Sequence, residues 1–214
     1  MRVSNLAKMK KYAFIDVQNT ASTTQNLLGF IIDWQRLYEY LNEKWQCQNV
    51  FFYSGIEEGD VETMNTFECL KNHHCIVRSK LVFLYKKPDR RIFIKCDNCG
   101  NEWIKTIDMG YNRKSNCDVD LTVDAMEMAG PSSEFLIFTG DGDFEYLIRK
   151  IIGKGTRVYI ISSNAGENQV GKKSKRFSKK LKDLINKNRG EVHFIDINSW
   201  RIKIEKTKTD RHEA

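Results

Sequence analysis

An α/β fold, an open parallel sheet flanked by helices with a small β-hairpin insertion, follows from three observations on this 214-residue chain. Four short runs rich in β-branched and aromatic residues recur at residues 12–15, 50–53, 135–138 and 158–161. Because they are apolar on both faces, they suit strands covered from both sides, as in a parallel sheet. Segments with helical periodicity alternate with them, which is the βαβα rhythm of an open α/β sheet. One stretch, from Cys75 to Ile107, breaks that rhythm and reads as the insertion.

Each element has its own signal. The run 12–15 ends at Asp16. Residues 30–45 put Ile31, Trp34, Leu37, Tyr38 and Leu41 on one stripe, as an amphipathic helix does. After the run 50–53, residues 61–72 give a second helix. The insertion, 76–107, carries strands at 76–85, 91–95 and 102–107. Loops Lys86-Lys87-Pro88-Asp89-Arg90 and Cys96-Asp97-Asn98-Cys99-Gly100 join them. Helices are predicted at 118–129, 144–152 and 177–187, and the runs 135–138 and 158–161 supply the remaining strands. The two prolines, Pro88 and Pro131, both fall in predicted loops. Residues 1–214 form one domain in this reading, with 206–214 a frayed tail.

Composition excludes several classes. The hydrophobic content of 41% supports one sizeable core. Apolar runs stop far short of the roughly 20 residues that span a bilayer. The first residues carry no apolar stretch of the secretory type, so a cytoplasmic protein without a membrane partner is expected. In such a compartment the six cysteines stay reduced. Net charge is +7, but it is concentrated. Residues 171–190 hold nine Lys or Arg and one Asp, leaving 26 basic and 27 acidic residues elsewhere. A local cationic patch suits a polyanion, because neutralising phosphates releases condensed counterions.

The chemistry is carried by aspartates that fall where loops leave strands or helices begin. Asp16 closes the first run. Asp118, Asp120 and Asp124 lie in Cys117-Asp118-Val119-Asp120-Leu121-Thr122-Val123-Asp124. Asp141 and Asp143 lie in Thr139-Gly140-Asp141-Gly142-Asp143-Phe144. Gathering carboxylates at one sheet edge costs stability unless a cation sits among them. Asp120, Asp124 and Glu127 share a helix face by spacing, and Asp118 sits at the helix start, where a carboxylate can also cap. Gly140 and Gly142 flank Asp141 and permit a tight turn. Asn19 stands ready to orient a metal-bound water or the Asp16 carboxylate.

Three ordered motifs make the chain resemble the NYN domain, a family of the PIN-like nucleases. They are Phe14-Ile15-Asp16-Val17-Gln18-Asn19, the Cys117–Asp124 segment continuing into Ala125-Met126, and the Thr139–Phe144 loop followed by Gly155-Thr156-Arg157-Val158-Tyr159-Ile160. The resemblance spans residues 11–195. It implies a Rossmann-like (PIN-like) fold and a metal-dependent ribonuclease acting within the RNA chain. Homodimers are common among such domains. By resemblance, Asp16, Asn19, Asp118 or Asp120, Asp124, Asp141 and Asp143 map to the family's acidic site. Helix periodicity favours Asp120 as the metal-facing residue, while the family pattern fits Asp118 at least as well. The minimal domain lacks the insertion.

Phosphodiester hydrolysis needs an activated water and charge neutralisation on phosphate oxygens, which Mg²⁺ or Mn²⁺ held by carboxylates supplies. Asp16, Asp118 or Asp120, Asp141 and Asp143 are the candidate ligands. The four histidines lie outside the acidic motifs, so a two-histidine mechanism is disfavoured. Cys96 and Cys99 have the spacing and trailing glycine of a zinc knuckle, with Cys117 at a usual distance for a further ligand and Cys69, His73, His74 and Cys75 as others. The competing reading is an exposed thiol pair in a turn. RNA is expected to meet Lys172, Lys173, Lys175, Arg176, Lys179 and Lys180 on one rim and Lys86, Lys87, Arg90 and Arg91 on the hairpin. A nucleic-acid-binding module with little or no catalysis is the alternative function. An aspartate-nucleophile phosphatase ranks last, because Asp16 lacks a second Asp two residues on.

Overall fold

A computed structural model describes residues 9–115, 117–165 and 177–207. In chain order, β1 (Lys10–Asp16) leads into α1 (Val17–Thr23), extended by a wider helical turn over Thr24–Leu28. Then follow α2 (Trp34–Tyr40), β2 (Asn49–Ile56), α3 (Val61–Asn72) and β3 (Ile76–Leu81). The next strands, β4 (Phe83–Lys86), β5 (Arg90–Lys95), β6 (Glu102–Ile107) and β7 (Tyr111–Lys114), form the inserted ribbon. The chain returns through α4 (Asp118–Met128), β8 (Ser133–Phe138), α5 (Glu145–Ile152), β9 (Arg157–Ser162), α6 (Lys179–Lys187), β10 (Val192–Asp196) and α7 (Arg201–Ile204).

Six strands make one parallel sheet in the order β10-β9-β8-β1-β2-β3. Alternation along the strands divides the core in two. On one face Tyr12, Phe14, Phe51, Phe135 and Val158 pack under α4, α5 and α6, through Leu121, Ile148 and Leu181 among others. On the other, Ala13, Ile15, Phe52, Leu136 and Phe138 pack under α1, α2, α3 and α7, through Val17, Leu37, Phe67 and Ile204. Neither face of the central strands meets water, which is why their sequences read as unbroken apolar runs.

The structure departs from the sequence expectation at the sheet's margins. Residues 76–81 are not the first arm of the hairpin: they pair in parallel with β2, Phe51 opposite Ile76 through Ile56 opposite Leu81, as an edge strand of the main sheet. The ribbon therefore starts at Phe83 and runs to Lys114, beyond Ile107. Its strands pair antiparallel, β4 with β7 and β5 with β6. An edge strand needs only one covered flank, so Arg78, Ser79 and Lys80 gave it the look of an exposed arm. The other edge, β10, is half-buried and had the same ambiguity.

Two helices also differ. Asp33 accepts from the amides of Gln35 and Arg36 at 3.0 and 3.1 Å, so α2 begins at Trp34 rather than at residue 30. Phe30 and Ile32 are buried from extended chain, and Ile31 is exposed. Helix α1, Val-Gln-Asn-Thr-Ala-Ser-Thr, is poor in helix formers. It forms where Asp16 caps it and where Thr20, Thr23 and Thr24 bury against the sheet.

Candidate active site

Connections from β1 lead outward through β2 to β3 on one side of the sheet, and those from β8 through β9 to β10 on the other. The strand order thus reverses between β1 and β8, and such a switch point opens a crevice beyond the carboxyl ends. Asp16 is the last residue of β1. Its Oδ1 accepts the Asn19 amide at 3.1 Å and caps α1. The Asn19 side-chain oxygen accepts the Gly140 amide at 2.8 Å. The Thr20 hydroxyl lies 2.6 Å from the Asp16 carbonyl and 3.3 Å from that of Phe138. These bonds lace the end of β1 to the end of β8. Beyond β8, Asp141 accepts the Asp143 amide at 3.0 Å and donates its own amide to the Thr139 hydroxyl at 3.2 Å.

Burial raises the Asp16 carboxyl to about 6, and the charges of Asp118 and Asp141 push it the same way. The Asn19 amide and the Thr139 hydroxyl oppose them without cancelling the rise. Asp118 and Asp141, from two other chain segments, therefore lie close enough for their charges to be felt at Asp16.

Helix α4 separates its own aspartates by direction. Asp118, in its first turn, adds its charge to the Asp16 site. Asp120, two residues on, faces away and forms an ion pair with Lys80 of β3. Asp124 is buried, and both its oxygens are engaged. Oδ2 accepts the Tyr53 hydroxyl at 2.8 Å and Arg78 Nε at 3.2 Å, while Oδ1 accepts Arg78 Nη2 at 3.3 Å. Burial and then the Asp124 carboxylate hold the Tyr53 hydroxyl well above its ordinary range. Asp120, an expected ligand, and Asp124, expected to orient waters around the ion, thus engage partners on β2 and β3.

A family model described as the NYN domain matches residues 12–186, from β1 into α6, and so takes in all three acidic motifs. The chain belongs to the NYN domain family. Its domains are generally nucleases, whose substrates are nucleic acids. It is 23% identical over 198 residues to the low amplitude and bright protein LabA of Synechococcus elongatus, covering 91% of this chain and 87% of the relative. Among solved structures, a protein of unknown function, VPA0982 from Vibrio parahaemolyticus, is similar in fold. It superposes with a TM-score of 0.58 at 18% identity, over 92% of this chain and 98% of that one.

Around the NYN acidic crevice, α6 begins against the Thr139–Phe144 loop. The Ser178 amide donates to the Gly140 carbonyl at 2.9 Å, and its hydroxyl caps α6 by accepting the Lys180 amide at 3.2 Å. Lys180 Nζ lies 3.6 Å from Asp143, whose side chain is otherwise open to solvent. A Cβ on Gly142 would come within 2.2 Å of Ser178 Oγ, so only glycine lets the two segments meet this closely. Of the expected cationic rim, Lys179 and Lys180 start α6, while Lys172, Lys173, Lys175 and Arg176 lie outside the described residues. The ribbon rises from the same carboxyl edge with Lys86, Lys87, Arg90 and Arg91, Lys86 lying 3.8 Å from Asp89.

Cys117 does not join the ribbon's thiols, contrary to expectation. It is buried before α4, and its sulfur faces the carbonyls of Ser54 at 3.4 Å and Arg78 at 3.8 Å. Burial raises its thiol above the usual range. Cys96 is held below that range by the Cys99 amide and thiol and by the Asn98 amide. Among the described residues, no group of three or more His, Cys, Asp or Glu side chains is arranged as a ready-made ion cage. Nor is any described helix long and apolar enough to cross a membrane. A cavity of about 620 Å³ lies apart from the three carboxylates, beneath α1, α2 and α3. Its Asp33, Glu57, Asp60 and Glu62 suit a phosphate backbone poorly.

Sequence reasoning missed Tyr53, Arg78, Lys80, Thr139 and Ser178. Arg78 and Lys80 had one usable signal, their i, i+2 spacing, which puts both on one flank of a strand. Reading that strand as hairpin hid it.

Proposed function

We propose that this NYN domain is a metal-dependent nuclease that cuts RNA internally, at the crevice between the ends of β1 and β8. The observation that carries the reading is Asp16, raised to about 6 first by burial and further by the repelling charges of Asp118 and Asp141. Such repulsion is relieved by a divalent cation. The donors fit in kind: hard carboxylate oxygens suit Mg²⁺ or Mn²⁺, and Mg²⁺ keeps several of its waters, so a closed protein cage is not needed. Asp16, Asp118 and Asp141 would hold the ion, and Asp143 and Asn19 would orient water around it. When bound, the ion supplies a more acidic water and neutralises charge on the phosphate.

The chain's own groups do the rest. Asn19 fixes the spacing of the two strand ends through the Gly140 amide. Lys180 offsets the charge of Asp143. Lys179 on α6 and Lys86, Lys87, Arg90 and Arg91 on the ribbon would hold the phosphate backbone by a salt-sensitive, largely sequence-independent contact. RNA, rather than DNA, is proposed on the family resemblance.

The test is cleavage of end-labelled single-stranded RNA and DNA with Mg²⁺, Mn²⁺ or EDTA. Internal RNA fragments that need the metal and vanish in Asp16→Asn and Asp141→Asn are expected. Undiminished cutting by both variants would sink the assignment. The competing reading is a module that binds RNA without cutting it; salt-sensitive binding with no cleavage under any metal would establish that instead.

A further inference from the structure

A two-stranded ribbon standing off a core is at best marginally stable in water, and this one is apolar on both faces. Residues opposite one another in an antiparallel pair share a face. Phe93 opposes Ile104 on one side, and Ile94 opposes Trp103 on the other. Phe93 is 79% exposed, Ile104 51% and Trp103 49%, so nothing among the described residues covers them fully.

The tip is built as a knuckle. The Cys96 amide donates to the Asn101 carbonyl at 2.8 Å, and the Gly100 amide to the Cys96 carbonyl at 2.9 Å. Gly100 takes the left-handed φ of 72° that closes this turn. The amides of Asn98 and Cys99 point at the Cys96 sulfur, and the Cys99 thiol is within hydrogen-bond reach of it. Both cysteines are free thiols.

We propose that the ribbon tip is half of a tetrathiolate zinc site, completed by Cys96 and Cys99 of a second copy of the chain. Structural zinc takes four ligands in a tetrahedron, and one tip supplies two. Among the described residues no third ligand approaches. Cys47, Cys75 and Cys117 are buried in the core, and Cys69 lies on α3 with its sulfur 3.8 Å from Gln35. A two-fold axis through the metal brings two identical Cys-x-x-Cys turns together and closes the shell without further residues. The same axis sets two ribbons side by side, where each can cover apolar surface that the other leaves open.

The experiment uses the full chain, purified under reducing conditions without chelator, with zinc measured by elemental analysis and mass by light scattering. One zinc per two chains in a dimer is expected, with about four sulfurs at roughly 2.3 Å by X-ray absorption. A strong chelator should give zinc-free monomer. Cys96→Ser/Cys99→Ser should lose zinc and dimer together while keeping the core's circular dichroism, whereas Cys117→Ser should keep both. Should the double variant fail to fold, the chelator arm on the wild-type chain decides. One zinc per monomer, or a dimer that survives zinc removal, overturns the proposal. So does a zinc-free monomer whose Phe93→Ser and Trp103→Ser variants lose RNA affinity, which would make the ribbon a base-stacking arm.

Discussion

Two sets of carboxylates leave the same helix, α4, and meet opposite surroundings. Asp120 and Asp124 turn toward β2 and β3 and find Lys80, Arg78 and the Tyr53 hydroxyl. Asp118 lies close enough to Asp16, at the end of β1, for its charge to be felt there. Carboxylates of the first kind stabilise a fold. The second kind adds to what burial already does, raising a neighbour's proton affinity. Identical residue types six positions apart or fewer therefore serve opposite ends, and the partner on the facing strand decides which.

The largest expected effect breaks the comparison on the catalytic side. Asp118→Asn should lower RNA cleavage by about 10²–10³-fold, the scale for losing one electrostatic stabiliser of a transition state. Asp120→Asn, whose carboxylate serves Lys80, should change it several-fold at most. Single-turnover cleavage at saturating Mg²⁺ measures both, and equal losses would erase the distinction between the two faces of α4.

On the structural side the order inverts. Asp124→Ala strands the buried end of Tyr53 and leaves Arg78 without its two-point partner. With Arg78 half exposed to solvent screening, a loss of about 2 kcal/mol in urea unfolding is expected.

Asp16→Asn should instead stabilise the metal-free protein at neutral pH. With its carboxyl at about 6 in the fold against 3.8 as the ordinary value, wild-type Asp16 keeps a proton between those values that the unfolded chain has released, and at neutral pH it is ionised in a buried place that disfavours the charge. Its contribution is complete below pH 4 and is lost as pH rises through 6. The Asn variant keeps the α1 cap and has no such loss. It should gain up to about 3 kcal/mol over wild type at pH 7 and little at pH 4. Saturating Mg²⁺ should then raise the wild-type melting temperature and leave the variant unmoved, because only the wild type binds it. Equal stability at both pH values would mean that neither burial nor the neighbouring charges disfavour an ionised Asp16.

The sequence made the centre of this molecule legible and its margins obscure. Strands with both faces covered, such as β1 and β8, announced themselves as unbroken apolar runs. Their ends located Asp16 and Asp141 without further help. Edge strands β3 and β10 mix polar and apolar residues because one flank meets solvent, and a hairpin arm has the same composition. That ambiguity spread to the site. Once residues 76–81 were read as hairpin, Arg78 and Lys80 had no place near α4, and spacing alone could not separate Asp118 from Asp120. Helix α1 was illegible for another reason: tertiary burial of its threonines outweighs their weak helix propensity.

The smallest effect concerns how the carboxylate loop is held. Gly142→Ala would thrust a methyl to within 2.2 Å of Ser178 Oγ, so the Ser178 side chain must rotate away or α6 must shift. Either way the Ser178 cap on the Lys180 amide is weakened, at a cost of about 1 kcal/mol. Ser178→Gly removes the obstructing hydroxymethyl, and glycine is nearly as good a cap, within a few tenths of a kcal/mol. The double variant Gly142→Ala/Ser178→Gly should therefore be more stable than Gly142→Ala alone, a coupling that a double-mutant cycle in urea reads directly. Because Lys180 reaches Asp143 from the same turn of α6, the single variant should also lose RNA cleavage and the double variant regain it. Additive effects of the two substitutions would mean that the loop and α6 are positioned independently, and Asp143 would then owe nothing to the helix beside it.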